Sequence, residues 1–244
     1  MGRGPSIEGR KNAEDAKRAK VFTKLIREIT VATRAGVPDP ALNPRLRTAV
    51  DKALTANMSK DTIERAIKRG SGADGGAKME ELRYEGYGPG GIALIIEAFT
   101  DNTTRTVADV RHALTKHGGN LGTSGSVAFQ FTRCGELVFH TGGDAAKEEK
   151  ILEAALDAGA DDVVNENGES TVICAPENFE AVQQKLLEAG LDAAHAGVVM
   201  RPNNRTAVSG ETLETLLELL EKLDSLDDVS EVYHNALLPA DVAG

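Results

Sequence analysis

Two kinds of residue pattern in this 244-residue chain could do chemistry: glycine-rich polar loops, and lysines and arginines recurring at helical spacing. Gly86-Tyr-Gly-Pro-Gly-Gly91 satisfies G-x-G-x-x-G, with Gly86, Gly88 and Gly91 in register. That spacing lets backbone N–H groups approach a pyrophosphate where a strand turns into a helix. Here the loop leads into Ile92-Ala-Leu-Ile-Ile96, a β-rich run, so a turn is expected, with backbone contact to phosphate or RNA as the alternative. Asp101-Asn-Thr-Thr-Arg105 and Gly118-Gly-Asn-Leu-Gly-Thr-Ser-Gly125 are further polar loops on either side of one expected helix. Thr103 or Thr104 would cap that helix and Gly118 would close it in the left-handed conformation. Small residues with Asn and Arg also suit phosphate or peptide contact, which makes Gly88, Gly90, Gly91, Asn102, Arg105 and Asn120 the candidate loop contacts.

Catalytic constellations are weak. The histidines, His112, His117, His140, His195 and His234, lack the H-E-x-x-H spacing of a zinc enzyme. Ser124, His112 and Asp101 form a triad only on paper, because nothing in the sequence positions a base against the nucleophile. Cys134 and Cys174 stand alone, far apart and without ligand-spaced histidines, which predicts two buried thiols in a reducing compartment rather than a disulfide or zinc site. No catalytic residue, metal or cofactor is expected, and the chain reads as non-enzymatic.

The net charge of −10 would argue against a nucleic-acid partner, but it hides a division. Residues 1–80 hold 17 Lys and Arg against 10 Asp and Glu, whereas residues 81–244 hold 11 against 28. A basic module on an acidic body suggests a polyanion partner at one end. From Asn12 to Ala35 the sequence reads as a helix, with Phe22, Leu25, Ile26 and Ile29 on a buried stripe. Lys17, Lys20, Lys24, Arg27 and Arg34 fall within about 100° of arc on the opposite side. Asn43 and Pro44 cap a second helix, with Leu46, Val50 and Leu54 facing inward and Arg45, Arg47 and Lys52 elsewhere. Ser59 caps a third, which buries Ile63, Ala66 and Ile67, turns Arg65, Lys68 and Arg69 outward, and ends at Gly70. One charged face is usually just solvated. Its recurrence on three helices favours phosphate neutralisation, which gives affinity without sequence specificity, by Lys17, Lys20, Lys24, Arg27, Arg45, Arg47, Lys52, Arg65, Lys68 and Arg69. Asn57-Met58 lacks the glycine usual in a helix-turn-helix turn.

These residues need a scaffold, and the periodicity predicts an α+β chain of three domains. The linker Ser71–Gly76 closes a basic helical domain, residues 1–78. Strands are expected at Ile92–Phe99 and Val127–Thr132, with a helix at Val107–Lys116 between them. Then comes a βαββαβ series: strand Leu137–His140, helix Ala145–Ala158, a hairpin of 162–165 and 170–174 around Asn167-Gly168, helix Glu177–Ala189, and strand Ala194–Met200. This is a ferredoxin-like unit at residues 135–207. Helix Thr212–Leu223 and strand Val229–Tyr233 would then complete the middle lobe, residues 79–134 plus 208–244, so that the third domain is inserted in the second.

Asp15-Ala-Lys-Arg18, Phe22-Thr-Lys-Leu25, Asn43-Pro-Arg-Leu-Arg47, Asn57-Met-Ser-Lys60, Ile63-Glu-Arg-Ala-Ile-Lys68, Tyr84-Glu-Gly-Tyr-Gly-Pro-Gly-Gly91, Asp101-Asn102 and Lys116-His-Gly-Gly-Asn-Leu-Gly122 together resemble the YebC/PmpR family over nearly the whole chain. The resemblance implies a helical domain and two α/β lobes, with the last segment returning to the middle one. It also implies a probable transcriptional regulator that binds DNA or, as in the related mitochondrial translational activator, a ribosome-associated factor that relieves stalling at proline-rich stretches. Many members open with Gly-His-Ser-Lys-Trp where this chain has Gly2-Arg-Gly-Pro-Ser6, so contacts by that histidine, lysine or tryptophan do not carry over.

The expected partner is nucleic acid, DNA or ribosomal RNA, with the ribosome itself as the wider target. Charge does not separate them, since both present phosphates. No apolar run approaches the roughly 18–20 residues of a membrane span, and Met1–Arg10 lacks a signal peptide's apolar stretch, so a cytoplasmic protein is expected. The oligomeric state is open, and a monomer fits. A nucleotide-using enzyme and a small-ligand sensor are the rival readings.

Overall fold

The computed structural model describes residues 7–73, 75 and 78–239; the opening Gly2–Ser6 lies outside them. The chain groups into two compact units. One gathers residues up to Tyr84 with Ile96–His117 and Leu217–Val232, and the other comprises Glu85–Ile95, Gly118–Leu216 and the chain from Tyr233 on.

Three helices open the first unit: α1 (Ile7–Ala35), α2 (Pro44–Thr55) and α3 (Lys60–Gly70). At 1.5 Å per residue the 29 residues of α1 span roughly 44 Å, more than twice the length of either partner. Phe22, Leu25, Ile26, Ile29 and Ala32 join the core with residues of α2 and α3, while residues 16–21 are all exposed. The helix starts earlier than its apolar spacing predicts, at Ile7 rather than Asn12.

Asn43 caps α2 as expected, accepting the Leu46 N–H at 3.1 Å, and its amide also donates to the carbonyls of Ala32 and Val37 at 2.8 and 2.9 Å. One buried side chain thereby joins the end of α1 to the start of α2. Leu46 is buried as expected and Val50 packs against the same core, but Ala49 and Ala53 complete the buried face of α2 in place of Leu54, which is 42% exposed. The contact turns toward the alanines, whose small side chains let the helices approach closely. Gly70 likewise serves packing rather than a left-handed cap. A Cβ there would sit 2.7 Å from both the Thr30 carbonyl oxygen and Thr33 Cβ, and the positive φ falls at Gly72 instead.

The α/β part runs β1 (Glu80–Tyr87), β2 (Ala93–Thr100), α4 (Thr103–Lys116), β3 (Asn120–Leu121), β4 (Phe131–His140), α5 (Ala145–Ala158), β5 (Asp162–Glu166), β6 (Glu169–Cys174), α6 (Phe179–Glu188), β7 (His195–Pro202), β8 (Thr206–Ala207), α7 (Gly210–Ser225), β9 (Val229–His234) and β10 (Ala236–Leu237). The expected strand at 127–132 is instead a single 3₁₀ turn, Ala128–Gln130, feeding β4. Strand β1 escapes sequence reading because Glu80-Glu-Leu-Arg-Tyr84 is largely exposed and shows no apolar alternation.

Strands β4 to β7 form an antiparallel sheet in the order β5-β6-β4-β7, and its βαββαβ sequence makes it ferredoxin-like. The β5–β6 hairpin turns at Asn167 and Gly168, φ 51° and 77°, as a type I′ turn requires. Leu137, Phe139, Ile151, Val172, Phe179, Val182 and Leu186 fill the core. A second sheet has the order β3-β1-β2-β9. Counting β2, β3, β1 and β9 as first to fourth gives the same spatial order, 2-3-1-4, with α4 after the first strand and α7 before the fourth. Both sheets therefore share one topology, and in the second the third strand has moved to the front of the chain. A short parallel pair, β8 with β10, completes the structure.

Candidate nucleic-acid interface

The cations of α1 divide by position along the helix. Lys24 places Nζ 2.9 Å from Asp224 Oδ1 and 2.6 Å from the Asp224 carbonyl oxygen. Arg27 donates to Asp228 Oδ1 at 2.8 Å, to the Phe99 carbonyl at 3.2 Å and to the Asp227 carbonyl. Asp228, with 7% of its side chain exposed, also accepts from Arg105 at 2.9 and 3.0 Å and from Thr106 Oγ1 at 2.8 Å. Desolvation alone would push its carboxyl up; the hydrogen bonds from Arg105, Thr106 and Arg27 outweigh it and hold the group below the ordinary carboxylate value.

Arg45 is taken in the same way, 2.9 Å from Glu28 and 2.7 Å from Glu81. Burial opposes its charge, but the hydrogen bonds to those carboxylates leave its pKa raised. Lys52 and Lys24 both pull down the Glu231 carboxyl, which desolvation holds above its usual value. Arg47 donates to the carbonyls of Pro40 and Ala41, each at 3.1 Å, and so closes the α1–α2 loop. Arg34 reaches the Met79 carbonyl.

The remaining predicted cations face solvent. Lys17, Arg18 and Lys20 lie on the exposed stretch of α1, with Arg18 over the Phe22 ring at 5.3 Å. Lys17 and Lys20 form no ion pair among the described residues. Lys20 edges an open groove of about 530 Å³ that is also lined by Asp101, Asp109 and Asp227. On α3, Arg65 pairs with Asp61 one turn back at 2.8 Å, both largely solvated, and Lys68 and Arg69 are exposed in the last turn. Between α2 and α3 the chain turns through Asn57 at φ 61°. Asparagine thus supplies the left-handed turn for which a glycine was expected.

The glycine loops are structural turns. Gly88 donates to the Ile92 carbonyl at 2.8 Å, Gly90 and Gly91 take φ 73° and 72°, and a strand follows, as the sequence indicates. Gly119 permits a close crossing, since a Cβ there would lie 2.1 Å from the Tyr87 carbonyl oxygen. Asn120 pairs with Tyr87 in the β1–β3 ladder. Asn102, rather than Thr103 or Thr104, caps α4, accepting the Arg105 N–H at 3.0 Å. Arg105 belongs to the Asp228 cluster, and Asp101 is tied to Arg105 at 2.9 Å instead of orienting a histidine.

Sequence reasoning missed Glu85. This residue, 4% exposed, accepts backbone N–H groups from Gly125 and Ala128 at 2.6 Å and Val127 at 3.0 Å, so it shapes the loop before β4. Within β1 it looks like any solvated glutamate.

Cys134 and Cys174 are free and buried; desolvation pushes the Cys174 thiol up to about 11 and raises that of Cys134. Among the described residues no group of three or more His, Cys, Asp or Glu is placed to hold a metal, and no helix is long and apolar enough to cross a membrane.

The family model of the TACO1/YebC protein N-terminal domain matches residues 4–73, and that of the TACO1/YebC second and third domain matches residues 79–236. The chain belongs to the TACO1/YebC family. Among TACO1/YebC relatives, a "probable transcriptional regulatory protein" of Xanthomonas campestris is 58% identical over 96% of this chain and 97% of its own length. Another so named, from Methylococcus capsulatus, is 58% identical over 97% and 95%. The crystal structure of a conserved hypothetical protein from Aquifex aeolicus superposes with a TM-score of 0.83 at 43% identity, covering 94% of both chains.

Proposed function

We propose that this TACO1/YebC protein is a non-enzymatic, nucleic-acid-binding regulator of gene expression, acting in the cytoplasm. It docks on phosphates through the exposed stretch of α1 at residues 16–21 and the exposed face of α3. The observation that carries this reading is the division of the cations: Lys24, Arg27 and Arg45 are matched by carboxylates, while Lys17, Lys20 and Arg69 are exposed and form no ion pair among the described residues. In this reading the helical domain, residues 1–78, makes the contact, and the acidic lobes, 79–134 with 208–244 and the inserted 135–207, repel nonspecific polyanions. The name shared by the relatives supports the regulatory role. A nucleotide-using enzyme is disfavoured because the turn at Gly86–Gly91 feeds a strand and offers phosphate no helix N-terminus.

The left-handed turn at Asn57 between two short helices favours duplex DNA as the target. A second reading, a ribosome-associated factor, is favoured by the reach of α1: a lone cationic helix meets phosphates without reading bases. A gel shift on duplex DNA at about 150 mM salt, where weak nonspecific binding is screened, separates the two when run beside sedimentation with ribosomes, with and without nuclease. A duplex shift supports the DNA reading. Nuclease-sensitive ribosome association without a shift supports the other, and the absence of both would overturn the function.

A further inference from the structure

Two segments of the acidic part of the chain contain no acidic residue of their own. Residues 118–135 and 195–210 carry no Asp or Glu, although residues 81–244 hold 28. The β4–β7 ladder brings the two segments together, pairing Phe131 with Pro202 and Thr132 with Arg201. Beside this ladder, on the 3₁₀ turn that feeds β4, Phe129 stands 73% exposed.

Both ends of that turn are fixed. Before the ring, the buried Glu85 carboxylate holds the backbone N–H groups of Gly125, Val127 and Ala128. After it, Asn203 donates to the Phe129 carbonyl at 3.3 Å and bonds Thr132 Oγ1 at 2.6 Å. The backbone that carries the ring therefore loses little freedom on binding a partner. The half-buried Glu136 on β4 is 2.8 Å from Arg201. Arg205 lies two residues beyond Asn203. Arg133 lies four beyond Phe129, at most about 14 Å of extended chain. Both are exposed and form no ion pair among the described residues. An exposed aromatic ring on a braced turn, with exposed arginines on the adjoining segments and the carboxylates of Glu85 and Glu136 already engaged, fits an unstacked base and its flanking backbone.

We infer that Phe129, with Arg133 and Arg205, forms a second contact for single-stranded nucleic acid, in which the ring stacks on one base. This rests on the reading of the chain as a nucleic-acid-binding protein but uses residues outside the helical domain.

The test uses the full chain and a fluorescein-labelled 12-nucleotide single-stranded RNA, the same strand with abasic positions, and the corresponding duplex. Phe129→Ala should weaken single-strand binding about tenfold, with the salt slope and duplex affinity unchanged. Phe129→Trp should preserve binding, and the abasic strand should bind wild type no better than it binds Phe129→Ala. Arg133→Gln with Arg205→Gln should instead flatten the single-strand salt slope by about 1.4. If Phe129→Ala stays within twofold of wild type on the single strand, the ring serves a protein contact and the inference falls. The function proposed above still stands in that case, provided charge reversal at Lys17, Lys20, Lys68 and Arg69 abolishes duplex binding. If wild type binds neither probe, the inference falls, and the proposed function falls with it unless the protein sediments with ribosomes.

Discussion

Helix α1 carries lysine and arginine at similar spacing along its length, yet its two halves use them differently. In the second half, Lys24 and Arg27 find carboxylates at Asp224 and Asp228 and hold the helix to its own protein. In the first half, Lys17 and Lys20 are exposed and form no ion pair among the described residues. A charge pattern shows that cations are present; whether they are available depends on carboxylates some 200 positions away in sequence. The same holds for α2 and α3, where Arg45 is bridged between two glutamates and Arg69 is exposed.

The sharpest way to break this comparison is Asp228→Ala. Removing the shared carboxylate leaves Arg27, Arg105 and Thr106 without their partner, and should cost about 3 kcal/mol in a urea or thermal melt. A loss under about 0.5 kcal/mol would mean that the cluster does not anchor α1. The next effect is on binding. Reversal of Lys17, Lys20, Lys68 and Arg69 to Glu should flatten the duplex salt slope by roughly 3–4 and leave the melt nearly unchanged. An unchanged slope would place the contact elsewhere.

The pH dependence sharpens the inward half. Because the folded Asp228 carboxyl lies below its ordinary value, its stabilising contribution is complete above the unfolded pKa of about 3.9 and is lost as pH falls below that toward the folded pKa. Acid unfolding of Asp228→Asn should therefore show a shallower pH dependence than wild type in that window, and parallel curves would contradict the assignment. The smallest effect is expected for Lys24→Gln, whose partner Asp224 is 84% exposed. It should cost about 0.5 kcal/mol and leave the salt slope alone, whereas a slope change would make Lys24 a phosphate contact after all.

What the sequence made legible follows from the range of the interactions. The three N-terminal helices, the βαββαβ series and the Asn167-Gly168 hairpin are written in local spacing and turn chemistry, and each is present. Strand β1 was not legible, because Glu80–Tyr84 is largely solvated and its pairing is set by distant strands. The inward face of α2 moved to Ala49 and Ala53 because close approach to α1 outweighed the size of Leu54. Of the candidate interface, the residue types were legible, but the capture of Lys24, Arg27, Arg45 and Arg105 was not, since no local rule links α1 to Asp224 or Asp228.

The wide sequence separation of these partners also orders events during synthesis. Chains emerge amino end first at about 5–20 residues per second, so α1 is complete about 190 residues before Asp224 and Asp228 are made, roughly ten to forty seconds earlier. Throughout that interval Lys24 and Arg27 lack the carboxylates that later claim them. The newborn protein is therefore stickier toward polyanions than the finished one, and its last two dozen residues switch that excess off.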